Sequence, residues 1–221
     1  MHISEGVLSG PVLISGIAIA VAGTSIGLRK LDYERIAQAS LLSAAFFVAS
    51  LIHVPVGPSS IHLILNGIVG LLLGWAAFPT ILIALMLQAV FFQFGGITTL
   101  GVNTIIMAMP AVLCYSLFGS FIGRKPAVSL TAAFACGFFS VFFGAITAGG
   151  ALMFTEEGFL KVSAMLIMAH LPVMIIEGII TAFCVGFLQK VHPVMLPEFS
   201  RGKAYERQKF VNRSGVVNAS E

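Results

Sequence analysis

Seven apolar stretches constrain this chain more than any other feature. Each is near the ~20 residues a helix needs to cross a ~30 Å hydrocarbon core. They fall at about 8–28, 36–54, 60–75, 77–94, 101–122, 127–153 and 162–189. The third is short, and only a tight turn near Trp75-Ala76-Ala77 parts it from the fourth. Backbone in lipid must satisfy its own hydrogen bonds, which helices do. The expectation is therefore an all-α polytopic transmembrane helical bundle of about seven spans. Charged residues make up only 10% of the chain, against about a quarter in soluble domains, so the chain cannot coat a globule with polar surface. Residues 1–190 read as one membrane domain and 191–221 as a polar cytoplasmic tail. Glu5, and the lack of a basic segment before the first apolar stretch, argue against a secretory signal peptide.

Lysine and arginine set the orientation. With the N-terminus outside, the cytoplasmic segments hold Arg29, Lys30, Arg35, Arg124, Lys125, Lys190, Arg201, Lys203, Arg207, Lys209 and Arg213, and the outer side only Lys161. That is a positive-inside bias. The net charge of +3 is scattered over short loops, so it offers no nucleic-acid footprint.

This topology puts three separate features on the outer face. They are the tip Met1-His2, the connection from His53 to His62, and the connection from Gly95 to Asn103. Neither connection carries a charge. Irregular backbone at membrane depth persists only when buried in protein or lining a cavity. Both connections are expected to fold inward and build a polar pocket near the outer surface, with the N-terminus inserted toward it.

The tip has chelating chemistry. The Met1 amine, the His2 backbone nitrogen and the His2 ring Nδ1 can close two fused chelate rings on one ion. A fourth nitrogen completes a square-planar site, suited to Ni(II), Cu(II) or low-spin Co(II). The amide must lose its proton, so such a site weakens in acid. His62, heading the third stretch, can supply that nitrogen; it can equally cap the helix or bond a loop carbonyl. Glu5, Asn66 and Asn103 are candidates to hold the imidazoles from an outer shell. His53 could approach the pocket or remain a loop histidine. Ser59 and Ser60 read as helix caps.

Glu177 is the one acid deep in a span. It needs a partner or a proton there. His170 lies seven residues earlier, on the same helix face. The two could relay protons or make a structural contact, with a kink at Pro172. Gly16 with Ala20, and Gly23 with Gly27, permit close helix approach, toward a partner subunit or within the chain. Cys114, Cys136 and Cys184 read as small buried hydrophobes. The chain has no GxxxxGK[ST] phosphate loop, HExxH or GxSxG.

Four segments together resemble the CbiM/NikM family: MHISEG, PVGPSSIHLILNG (Pro55 to Gly67), GGITTLGVN (Gly95 to Asn103), and the pattern of Leu171, Pro172, Glu177 and Gly178. That family comprises the substrate-binding membrane subunits of energy-coupling-factor (ECF) type cobalt and nickel transporters. The resemblance implies a non-enzymatic capture subunit of an ATP-driven importer in a prokaryotic cell membrane. Its cargo would be Co(II) or Ni(II), with a slight preference for cobalt and no organic cofactor. It implies metal ligation by Met1, His2 and His62. It also implies a CbiQ/NikQ-type membrane subunit, a CbiO/NikO-type ATPase and, in some systems, a CbiN/NikN-type small subunit, which is not fused after Lys190 here. Two other readings stand beside it: a proton-coupled secondary metal carrier using Glu177 and His170, and a membrane haem protein using paired histidines.

Overall fold

The computed structural model describes residues 2–51, 53–56, 59–155 and 159–196, without the side chains of 53–61, 159–163 and 194. The elements are α1 (Gly10–Arg29), α2 (Ile36–Ala49), β1 (His53–Val56), β2 (Ser59–His62), α3 (Asn66–Leu73), α4 (Ala77–Phe92), α5 (Leu100–Phe118), α6 (Pro126–Met153) and α7 (Phe159–Val191). Side-chain contacts sort the helix ends onto two faces. Phe92 stacks on Phe94, which lies beside His2, and the Ser9 amide donates to Thr155 Oγ1. We call this end the tip face. At the other end, the base face, Lys30 sits over the Trp75 ring, Arg35 donates to the Leu72 carbonyl, and Gln189 at the end of α7 bonds Ser129 at the start of α6.

The expected third span is not a span. β1 and β2 pair antiparallel, with His53 opposite His62 and Val56 opposite Ser59. After β2, Leu63 to Leu65 run without regular structure into α3, which has only eight residues, all buried. Eight residues rise about 12 Å, less than half a bilayer core. α3 starts at mid-depth, where Asn66 bonds the Met107 and Ser140 carbonyls, and descends beside α5 to Gly74 at the base. The chain then reverses and α4 climbs back to the tip face. The run Asn66–Phe92, apolar enough overall to cross a membrane, is therefore a half-helix and a returning helix. The sequence pattern missed this because a buried apolar half-helix and a short span share one composition.

Among the described residues, five apolar helical runs reach spanning length: that one, Gly10–Arg29, Leu100–Phe121, Pro126–Met153 and Ala164–Val191. α2 is 14 residues long, shorter than the expected 36–54. Arg29, Lys30, Arg35, Arg124, Lys125 and Lys190 all lie at base-face helix ends.

Packing around α3 needs near-absent side chains. A Cβ at Gly67 would stand 2.6 Å from the Gly137 Cα of α6, and one at Gly70 would strike the Ala111 carbonyl of α5. The small-residue stripe of α1 (Gly16, Ala20, Gly23, Gly27) is buried against Val102, Phe78 and Pro79 of the same chain. Its opposite face, with Ile14 and Val21, is exposed to what would be lipid. Phe134, Phe138, Phe139, Phe142 and Phe143 form a linked ring cluster along α6, and Phe134 packs on Gly178 of α7.

Gly70→Val should be among the most damaging single changes outside the tip. Overpacking costs about 1–3 kcal/mol in a well-filled core, and here the obstruction is rigid backbone. Thermal unfolding in detergent should show a lowered midpoint for Gly70→Val, while Ile14→Val on the exposed face leaves it within about a degree.

Candidate metal site

His2 and His62, sixty residues apart in sequence, meet on the tip face. Each is almost fully buried, at 4% and 3% exposure. Their rings stack with centroids 4.7 Å apart and planes 23° from parallel. The Phe94 ring closes one side, 6.4 Å from His2.

His62 Nδ1 lies 2.9 Å from the Leu63 carbonyl oxygen. A carbonyl only accepts, so Nδ1 carries the proton and Nε2 carries the ring lone pair. Burial holds the His62 pKa well below the usual histidine value, and positive charge near it, including that of His2 and His170, pushes the same way. The imidazole is therefore neutral at pH 7, the state a metal ligand requires.

Backbone clamps hold the tip in place. Asn103, in the first turn of α5, accepts from the Ile3 amide (2.8 Å) and donates to the Ile3 carbonyl (3.1 Å) through its two amide atoms. Its Nδ2 also bonds Thr99 Oγ1. Ile3 is fully buried, so its backbone groups need partners, and Asn103 supplies one to each. Two residues on, Glu5 Oε1 accepts from the Thr98 amide (3.0 Å) and hydroxyl (3.1 Å). These bonds, the Thr98 amide first, lower the Glu5 pKa below its ordinary 4.5.

The Gly95-Gly96 pair makes room for the tip. Both have positive φ (76° and 115°). A Cβ at Gly95 would stand 2.6 Å from Asn103 Nδ2, and one at Gly96 would strike the Glu5 side chain. Only glycine meets both demands.

Of the expected site residues, the structure brings His2, His62, Glu5 and Asn103 to one place. Met1 lies outside the described residues, as does the side chain of His53. Glu5 and Asn103 hold loop and tip backbone; the bonds described for them do not go to an imidazole. Asn66 is deeper, tying α3 to α5 and α6 through Met107 and Ser140. Of the two readings open for His170 and Glu177, the direct pair does not form, and Glu177 makes a structural contact instead. His170 Nδ1 bonds the Leu166 carbonyl of its own helix, and its Nε2 has no hydrogen-bond partner. Glu177 Oε1 instead accepts from the backbone amides of Ile64 and Leu65, the latter at 2.6 Å. Sequence spacing pointed to a partner on the same helix, and the actual partners lie more than a hundred residues away. Among the described residues, no group of three or more His, Cys, Asp or Glu side chains converges. Two imidazoles alone do not complete a coordination shell, so a metal held here needs further donors.

The profile of the family described as "Cobalt uptake substrate-specific transmembrane region" matches residues 2–195. The chain belongs to the CbiM family. A Haemophilus influenzae relative, provisionally named for metal transport, is 44% identical over 201 residues, covering 89% of this chain and 97% of its own. The fused nickel transport protein NikMN of Rhodobacter capsulatus is 32% identical over 234 residues, covering 94% of this chain and 67% of its own. A crystal structure described as a transition metal transporter superposes with a TM-score of 0.76 at 26% identity, over 86% of this chain and 93% of that one. CbiM-family membership thus accounts for the helical membrane architecture.

Two outcomes follow from the clamps. Asn103→Leu removes both partners of the Ile3 backbone, a loss of about 1–3 kcal/mol in a buried setting. Hydrogen exchange at the Ile3 amide should accelerate about ten- to hundredfold. Because its folded pKa is lowered, Glu5 contributes stability that is present above pH 4.5 and lost as pH falls through the lower folded value. A pH titration of the Thr98 amide resonance should therefore have its midpoint below 4.5, and Glu5→Gln should abolish the titration.

Proposed function

We propose that this CbiM-family chain is the metal-capture component of an ATP-driven importer of the ECF class, with Co(II) or Ni(II) as cargo and cobalt slightly preferred. The observation that carries the reading is the meeting of His2 and His62, two buried imidazoles stacked beside the bonds that hold the N-terminal tip by its backbone. In this reading the donors are the Met1 amine, the His2 amide nitrogen and ring, and the His62 ring. An all-nitrogen planar set favours Ni(II) and low-spin Co(II) over Mg(II) or Ca(II), which want oxygen. The amide proton must leave on binding, so affinity rises with pH.

The remaining roles fall to partners. This chain has no phosphate-binding loop, and hydrolysis belongs to a CbiO/NikO-type ATPase coupled through a CbiQ/NikQ-type membrane subunit, with a CbiN/NikN-type small subunit in some assemblies. In this reading the base face lies in the cytoplasm and the tip outside, across a prokaryotic cell (inner) membrane, an orientation supported by the basic residues gathered at the base-face helix ends. Residues 1–190 form the capture domain and 191–221 a cytoplasmic tail. The proton-coupled alternative loses its main support, because Glu177 and His170 do not bond each other.

The test is isothermal titration of protein beginning at Met1 with Co(II), Ni(II) and Zn(II), beside a form with one added N-terminal glycine and beside His62→Ala. The expected result is tight one-to-one binding of cobalt or nickel, lost in the extended form and weakened at least hundredfold by His62→Ala. Equal binding in all three would overturn the donor set.

A further inference from the structure

α7 is built into the metal site without touching it. Between β2 and α3, Leu63, Ile64 and Leu65 cross the apolar interior with no secondary structure to satisfy them, and Ile64 is fully buried. Leu65 adopts a left-handed conformation (φ 57°) that a branched side chain rarely takes. What holds this segment is Glu177. Its Oε1 accepts from both the Ile64 and Leu65 amides, and the residue is completely buried. The backbone of Glu177 is fixed in turn: a Cβ on Gly137 of α6 would stand 2.5 Å from the Glu177 carbonyl oxygen, and Phe134 fills the space at Gly178.

One peptide unit joins this carboxylate to the imidazole. The Ile64 N–H that donates to Glu177 and the Leu63 C=O that accepts from His62 Nδ1 belong to the same planar group. The plane cannot be turned at one end without turning the other. We propose that Glu177, Leu63–Ile64 and His62 form a carboxylate–peptide–histidine relay in which Glu177 is the positioning residue for the His62 donor. The carboxylate orients the peptide, the peptide's carbonyl holds the proton on Nδ1, and Nε2 is left as the donor atom. Hydrogen bonds in such a chain polarise one another, so the relay also makes Nε2 a better donor. Outer-shell acceptors do the same for metal-bound histidines when they touch the ring directly; here a peptide stands between.

This inference deepens the reading of His62 as a metal ligand, yet its first readout needs no metal. Two-bond proton–nitrogen spectra of the metal-free protein report the His62 tautomer. Glu177→Asp keeps the charge but withdraws the acceptor by one methylene. Glu177→Gln keeps the reach and drops the charge. Wild type should show the Nδ1–H tautomer alone. Glu177→Asp should populate the Nε2–H tautomer and weaken Co(II) or Ni(II) binding about ten- to hundredfold, with a shift in the visible band of the bound metal. Glu177→Gln should rescue the tautomer and bring affinity to within about threefold of wild type. An unchanged tautomer and affinity in Glu177→Asp would overturn the relay, as would the reverse order with Asp near wild type and Gln defective. If the wild-type protein bound neither metal, the capture reading would fail, and the tautomer would still decide the relay.

Discussion

A stretch of non-helical backbone inside an apolar bundle must find a hydrogen-bond partner for each of its amides, or it will not stay there. Residues 63–65 are such a stretch, and the fold is arranged to supply them. α7 brings a buried carboxylate to the Ile64 and Leu65 amides. α5 and α6 bring Met107 and Ser140 to Asn66 at the start of α3. Glycines at 67, 70 and 137 let the helices come close enough for these bonds to form. Once the segment is satisfied, β2 ends at His62 on the tip side, and the imidazole stands where the N-terminal tip arrives.

The tip obeys the same rule at smaller scale. Ile3 is fully buried, so its amide and carbonyl must be paired, and the Asn103 side chain pairs both. Thr98 and Glu5 tie down the outer side of the tip. A flexible terminus would spend much of its binding free energy on becoming ordered; these clamps order it beforehand. In the proposed donor set, that ordering is what would let a chain terminus serve as a ligand beside two buried imidazoles.

Much of this was legible in the sequence, for reasons that can be named. Length and apolarity gave the helical membrane class. The outer-face logic, uncharged loops beside His2 and His62, anticipated which residues meet. The small residues of α1 marked close packing, and the structure assigns that packing to α4 and α5 of the same chain. One reading did not survive, and two features gained partners that the sequence could not name. The stretch 60–75 looked like a span because a buried strand end, a connector and a half-helix are all apolar. For Glu177 a proton relay with His170 and a structural polar contact were both open, and its backbone partners lie on another element, where spacing along one helix is blind. Glu5 and Asn103 were candidates to stand behind the imidazoles because their side chains accept hydrogen bonds; the bonds described for them go to tip and loop backbone. In each case a side-chain type revealed the need for a partner and was silent on which one.

In the proposed site His2 and His62 reach one ion through nitrogen donors alone. Nickel X-ray absorption of the loaded protein reads this out, since multiple scattering counts imidazoles and the first shell distinguishes nitrogen from sulfur. The expected result is four short nitrogen bonds including two imidazoles, and one imidazole fewer in His62→Ala. A shell dominated by oxygen or sulfur, or an imidazole count unchanged by His62→Ala, would contradict it.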